Sequence, residues 1–75
     1  MLNLIEYEGK NIRLICIDNE VFEGYASDYI FAEDNVPEEV EGIILDHPIR
    51  KSDGCQIPNL VEFTALEVKA IEVIP

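Results

Sequence analysis

The chain has 75 residues, with 16 Asp and Glu against 5 Lys and Arg, a formal net charge of −11. Such a length makes one domain that buries only about 60% of its unfolded surface, so self-association would be a useful source of further burial. The charge argues against nucleic acid as a ligand, since phosphate affinity comes from Lys and Arg, and no run approaches the roughly 18 apolar residues of a membrane span.

Leu2, Leu4 and Ile5 precede Glu6-Tyr7-Glu8-Gly9, which predicts a single helical turn ended by Gly9. Residues 10–18 form an apolar strand, with Ile12, Leu14 and Cys16 on one face and Arg13, Ile15 and Ile17 on the other. A strand apolar on both faces is buried twice or packs its second face on a neighbouring subunit. Asp18-Asn19-Glu20 breaks the run; Asp and Asn tolerate positive φ and bond their own backbone, so a tight hairpin turn is expected. Residues 21–32 are long for one strand, and Gly24 and Ala26 clear one face for a sharp bend or a close backbone approach.

Residues 33–41 read as a loop, within which Asn35-Val36-Pro37-Glu38-Glu39 resembles a capped helical turn. A short strand over 42–46 and a loop over 47–58, punctuated by Pro48, Gly54 and Pro58, come next. A strand over 59–63, a turn at 64–67 and a last strand over 68–74, with Ile71 and Val73 opposite Ala70 and Ile74, complete the chain. Five strands and at most one or two short helical turns predict an all-β fold. The expected form is a small, strongly bent, five-stranded antiparallel barrel of SH3-like or OB-like kind.

Candidate chemistry is sparse. Glu33, Asp34, Glu38, Glu39 and Glu41 crowd one loop and supply the oxygens that Ca²⁺ or Mg²⁺ prefers, but they lack the alternate spacing, central Gly and terminal Glu of an EF-hand loop. A solvated or partner-facing loop is the expectation, with no metal and no cofactor. His47 has Asp46 beside it and Cys55 eight residues on; a thiolate–imidazole pair needs an orienting group and an oxyanion hole that no pattern supplies. The two Cys and one His also fall short of a zinc site. Cys16, inside Leu-Ile-Cys-Ile, reads as a small hydrophobe and Cys55 as an exposed thiol. A disulfide between them is not expected in a reducing compartment.

Tyr25, Tyr29 and Phe31 alternate on one face and resemble a base-stacking platform, yet lack interleaved cations, so core or subunit interface is the expectation. Arg50-Lys51 is the sole basic cluster, and between Arg13 and Arg50 there is no Lys or Arg at all. The acids in that gap, from Asp18 to Asp46, read as a solvated surface that maintains solubility, with a face for a basic protein partner as the functional alternative. The opening MLNLIEYEGK has no basic or apolar signal region, from which a cytoplasmic protein is expected.

The order Tyr7-x-Gly9-Lys10-x-Ile12-Arg13-Leu14, Asp18-Asn19, Phe22-Glu23-Gly24 resembles the Sm-like (LSm) family, in a small acidic bacterial-type form. The closing run Glu67-Val68-Lys69-Ala70-Ile71-Glu72-Val73-Ile74 resembles that family's last strand, which pairs with a neighbouring subunit to close rings. The resemblance implies that residues 1–75 form one Sm-like domain and that the domain is a homo-oligomer. Relatives that bind uridine-rich RNA carry Asp-x-apolar-Asn after the bent strand and Arg-Gly before the last one. Here those places read Ala32-Glu33-Asp34-Asn35 and Thr64-Ala65-Leu66-Glu67. The resemblance therefore implies the scaffold without the RNA pocket: a non-catalytic, self-associating interaction or assembly module, with an RNA-binding ring as the alternative.

Overall fold

The computed structural model describes residues 3–34, 37 and 39–75. A 3-10 turn at Leu4–Tyr7 places Leu4 in the core, and Gly9 ends it at φ +81°, as the sequence predicts. Six antiparallel strands follow: β1 (Asn11–Cys16), β2 (Val21–Ile30), β3 (Gly42–Arg50), β4 (Cys55–Gln56), β5 (Leu60–Thr64) and β6 (Val68–Val73). Their order is β4-β3-β2-β1-β6, with β5 also on β3. β5 and β4 occupy successive stretches of β3, pairing residues 42–46 and 49–50 respectively.

The expected count of five strands is thus corrected to six, and the hydrogen-bonded order is open. Among the described residues β6 pairs only with β1 and β5 only with β3.

The β1–β2 hairpin forms as its residues dictate. The Asn19 N–H donates to the Cys16 carbonyl and the Cys16 N–H to the Glu20 carbonyl. Asn19 sits at φ +72°, while the Asp18 carboxylate accepts from the Glu20 N–H. A turn followed by one left-handed residue is a standard three-residue hairpin loop, and Asn tolerates that conformation well.

Three register shifts bend the sheet. In the first, Glu23 faces Ile49 and Tyr25 faces Asp46, so His47 and Pro48 together oppose Gly24. His47 takes φ +47°, and Pro48 is fully buried. A Cβ on Gly24 would lie 3.2 Å from the Pro48 Cα; this is the close backbone approach that Gly24 suggests. The expected loop over 47–58 is corrected accordingly: β3 runs through the proline to Arg50 and turns back into β4. A proline costs a strand a ladder donor, but at a bulge that donor is not called upon.

In the second shift Ala26 faces Leu45 and Asp28 faces Ile44, leaving Ser27 as the extra residue of β2. In the third Ile15 faces Ala70 and Cys16 faces Val68, leaving Lys69 extra in β6. Each extra residue reverses the inward face. Phe22 and Ala26 point to the core before Ser27 and Tyr29 packs on it after; Val68 and Ile71 are both buried across Lys69. The core joins Leu4, Ile12, Leu14, Ile43, Leu45 and Phe63 to these residues.

A 3-10 turn at Ala32–Asp34 opens the acidic segment. The helical turn expected at Asn35-Val36-Pro37-Glu38-Glu39 lies on Asn35, Val36 and Glu38, outside the described residues. Among the described residues no helix is long and apolar enough to cross a membrane.

Candidate interaction surface

The fold disperses the residues that the sequence offers for chemistry. The His47 imidazole Nδ1 pairs with the Asp46 carboxylate on the exposed bulge of β3. Cys55 lies further along, opposite Arg50, with its Sγ 3.8 Å from the Gln56 carbonyl oxygen. Among the described residues no hydrogen bond joins that imidazole to the thiol. Both cysteines are free, Cys16 buried and Cys55 exposed.

The acidic segment is partly absorbed by the fold. The Glu41 carboxylate accepts from the Leu4 N–H at 3.3 Å, and its carbonyl accepts from the Ala65 N–H. Glu33, Asp34 and Glu39 are exposed, and Glu38 lies outside the described residues. Among the described residues no three acidic, His or Cys side chains converge as metal ligands would.

The aromatic stripe is broken by the Ser27 bulge. Tyr25 is exposed, whereas Tyr29 packs on the core and meets Phe31 edge-on, ring centroids 5.0 Å apart. The expected single face of three rings is corrected: Tyr25 points outward, Tyr29 packs on the core, and Phe31 meets Tyr29 while remaining exposed. Strict alternation predicted otherwise because an extra residue cannot be seen in a run of apolar and small residues.

Four of the five Lys and Arg side chains reach oxygens of the fold. Arg13 faces Glu23 on β2 and Glu72 on β6 in register, and reaches them at 2.7 and 3.3 Å. Lys51 reaches Glu23 at 3.3 Å, Arg50 holds Asp53 at 2.9 Å, and the Lys69 ammonium donates to the Asn19 side-chain oxygen at 3.0 Å. Hydrogen bonding to Arg13 keeps the Glu23 carboxyl below the usual range, and Arg50 does the same for Asp53. Arg50-Lys51, the one basic cluster of the sequence, is therefore committed to neighbouring carboxylates.

Two strand edges carry exposed apolar side chains. Val73 on β6 is 50% exposed and Leu60 on β5 is 59% exposed. The Ile74 N–H donates to the Asn11 carbonyl, so by strand alternation the Val73 N–H points away from β1, off the free edge. On the outward face of β1 Ile15 is half-buried, and just past the strand's end Ile17 is exposed.

At the end of the sheet where β1 stops, β2 starts and β5 turns into β6, a pocket of about 420 Å³ opens. Its floor is Cys16 with Phe22 and Phe63, whose rings tilt together at 5.0 Å; its rim is Ile17, Asp18, Glu20 and Glu67. Burial pushes the Cys16 thiol pKa up, and the fields of Asp18, Glu67 and Glu20 push it further. The Glu67 carboxylate is fixed by accepting from the Thr64 N–H and hydroxyl, both at 3.0 Å. Sequence reading missed this site. Its parts lie in three separate segments, and only the Thr64-x-x-Glu67 spacing, typical of a side-chain-capped turn, marked any of them.

Compared with known proteins, the chain matches no family model and no curated protein.

Proposed function

We propose that the protein is a non-catalytic, cytoplasmic, self-associating interaction module. In this reading its bent sheet is an Sm-like barrel in which β1, β2, β3, β5 and β6 are the five family strands and β4 is an added hairpin arm. The observation that carries the reading is the pair of antiparallel edges, β5 and β6, that have no further strand partner among the described residues, each bearing an exposed apolar side chain. An unprotected edge is a template for another strand, and β5 of one copy can continue onto β6 of the next. The resemblance of residues 67–74 to the ring-closing strand of the Sm-like family supports the same arrangement. A small domain also gains buried apolar area by association.

The RNA-binding alternative receives no support from the surface. Arg13, Arg50, Lys51 and Lys69 are held by side-chain oxygens, and the turn before β6 presents a carboxylate. Repulsion from the remaining acids opposes phosphate approach.

Light scattering coupled to gel filtration tests the proposal. A mass that is a multiple of the single chain is expected, and Val73→Lys is expected to shift it toward the monomer, because an edge lysine guards against strand addition. A single-chain mass at every concentration would overturn the reading. Salt-sensitive binding to uridine-rich RNA would replace it with the alternative.

A further inference from the structure

The pocket between the β1–β2 turn and the β5–β6 turn has a composition that selects one kind of occupant. The floor is apolar and aromatic, and the rim carries three carboxylates with no Lys or Arg among the lining residues. An anion is repelled there, and a purely apolar group would strip water from the rim acids without replacing their hydrogen bonds. A ligand with an apolar stem and a delocalised cationic head satisfies both halves. The stem lies on Phe22 and Phe63, while the head stacks on a ring and donates to Asp18, Glu20 or Glu67.

Arginine fits these terms better than lysine, because guanidinium is the more weakly hydrated cation and its planar fork stacks and pairs with carboxylates at once. Ile17 on the rim and Leu66, next to Glu67 in the chain, are 66% and 65% exposed. A backbone hydrogen bond from the Ile17 N–H to the Glu67 carbonyl ties Ile17 to the turn that carries Leu66. An arginine carried on a polypeptide with apolar neighbours would cover both, which a free small cation would not. The volume falls near the lower end of the range of about 300–1,000 Å³ typical of ligand pockets.

The geometry points to this pocket as the seat of an arginine side chain presented by a basic partner polypeptide with apolar residues beside that arginine. The assignment rests on the reading of the protein as an interaction module and names the chemistry of its partner.

The probe is acetyl-Leu-Arg-Leu-amide, titrated into ¹⁵N-labelled protein and followed by amide chemical shifts. Saturable shifts confined to Cys16, Ile17, Glu67 and their neighbours are expected. The same peptide with neutral citrulline in place of arginine is expected to bind at least about tenfold more weakly, the loss that follows removal of one partner of a desolvated charge pair. Glu20→Gln is expected to weaken binding. Asp28→Asn, the same charge change on an exposed acid beyond the Ser27 bulge, is expected to leave it unchanged. Equal binding of the citrulline peptide, or equal loss in the Asp28 variant, would overturn the assignment as diffuse charge attraction. Pocket signals that move with protein concentration and ignore the peptide would also overturn it, by showing that a second copy covers the site. Self-association is measured without peptide, so an oligomer that ignores the probe ends this assignment and leaves the module reading intact.

Discussion

Ser27 is the extra residue that turns β2 over, and its buried hydroxyl oxygen has no hydrogen-bond partner among the described residues. An unpartnered buried hydroxyl costs about 1–3 kcal/mol of desolvation, so the side chain is tolerated there for its backbone position. Ser27→Ala is expected to leave stability unchanged or raise it by about 1 kcal/mol in urea unfolding. A clear loss would mean that the hydroxyl has found a partner. The two thiols differ at the same scale. Cys16 is 8% exposed with its pKa pushed up by burial and three nearby acids, whereas Cys55 stands in solvent. Thiolate is the reactive form, so iodoacetamide under native conditions is expected to add one group, at Cys55, with Cys16 following only on unfolding. Mass spectrometry of the two peptides checks the order, and early labelling of Cys16 would contradict its placement.

At the scale of elements, β2 and β3 come closest at Gly24 and Pro48, and the approach leaves little room for a side chain. A Cβ there would meet the Pro48 Cα at 3.2 Å, the Pro48 Cβ at 3.4 Å and the Asp46 carbonyl oxygen at 3.6 Å. Gly24→Val is expected to cost about 1–3 kcal/mol by overpacking. An unchanged urea midpoint would argue against that approach. This approach was half legible in the sequence. Gly24 announced a bend or a near neighbour, but nothing named Pro48 as that neighbour, because a proline ordinarily ends a strand. The hairpin at Asp18-Asn19 and the turn ended by Gly9 were fully legible, since each follows from one residue's local conformational preference. The bulges at Ser27, His47 and Lys69 were not. They depend on which partner residue lies across the strand, and a single run of side chains carries no record of its partner. For that reason the aromatic stripe of Tyr25, Tyr29 and Phe31 dissolved, and the pocket over Phe22 and Phe63 went unseen.

Across the whole molecule the charge excess sets the behaviour. Exposed pairs such as Arg13 with Glu72 contribute little each and weaken in salt. The acids left without a cation repel over about 8–10 Å at moderate ionic strength, and salt screens that repulsion as well. Repulsion is the larger sum at a net charge of −11, so Tm is expected to rise as NaCl is added from low ionic strength. A falling Tm would show that the ion pairs outweigh it. Acid works in two directions. Glu23 and Asp53 have depressed folded pKa values, so their contribution is present above their unfolded values and fades as pH falls through the depressed ones. Protonating the exposed acids meanwhile relieves their mutual repulsion.

The commitment of Arg13, Arg50, Lys51 and Lys69 to oxygens of their own chain has a kinetic consequence. Seen from several ångströms away one sign dominates the molecule, because 16 acids outnumber 5 cations and three of those cations are already paired with carboxylates. Two copies approaching edge to edge must climb that field before any strand can pair, whereas a basic polypeptide descends it from the first encounter. At low ionic strength the clock therefore favours the foreign partner over the identical one, whichever complex is the more durable once formed.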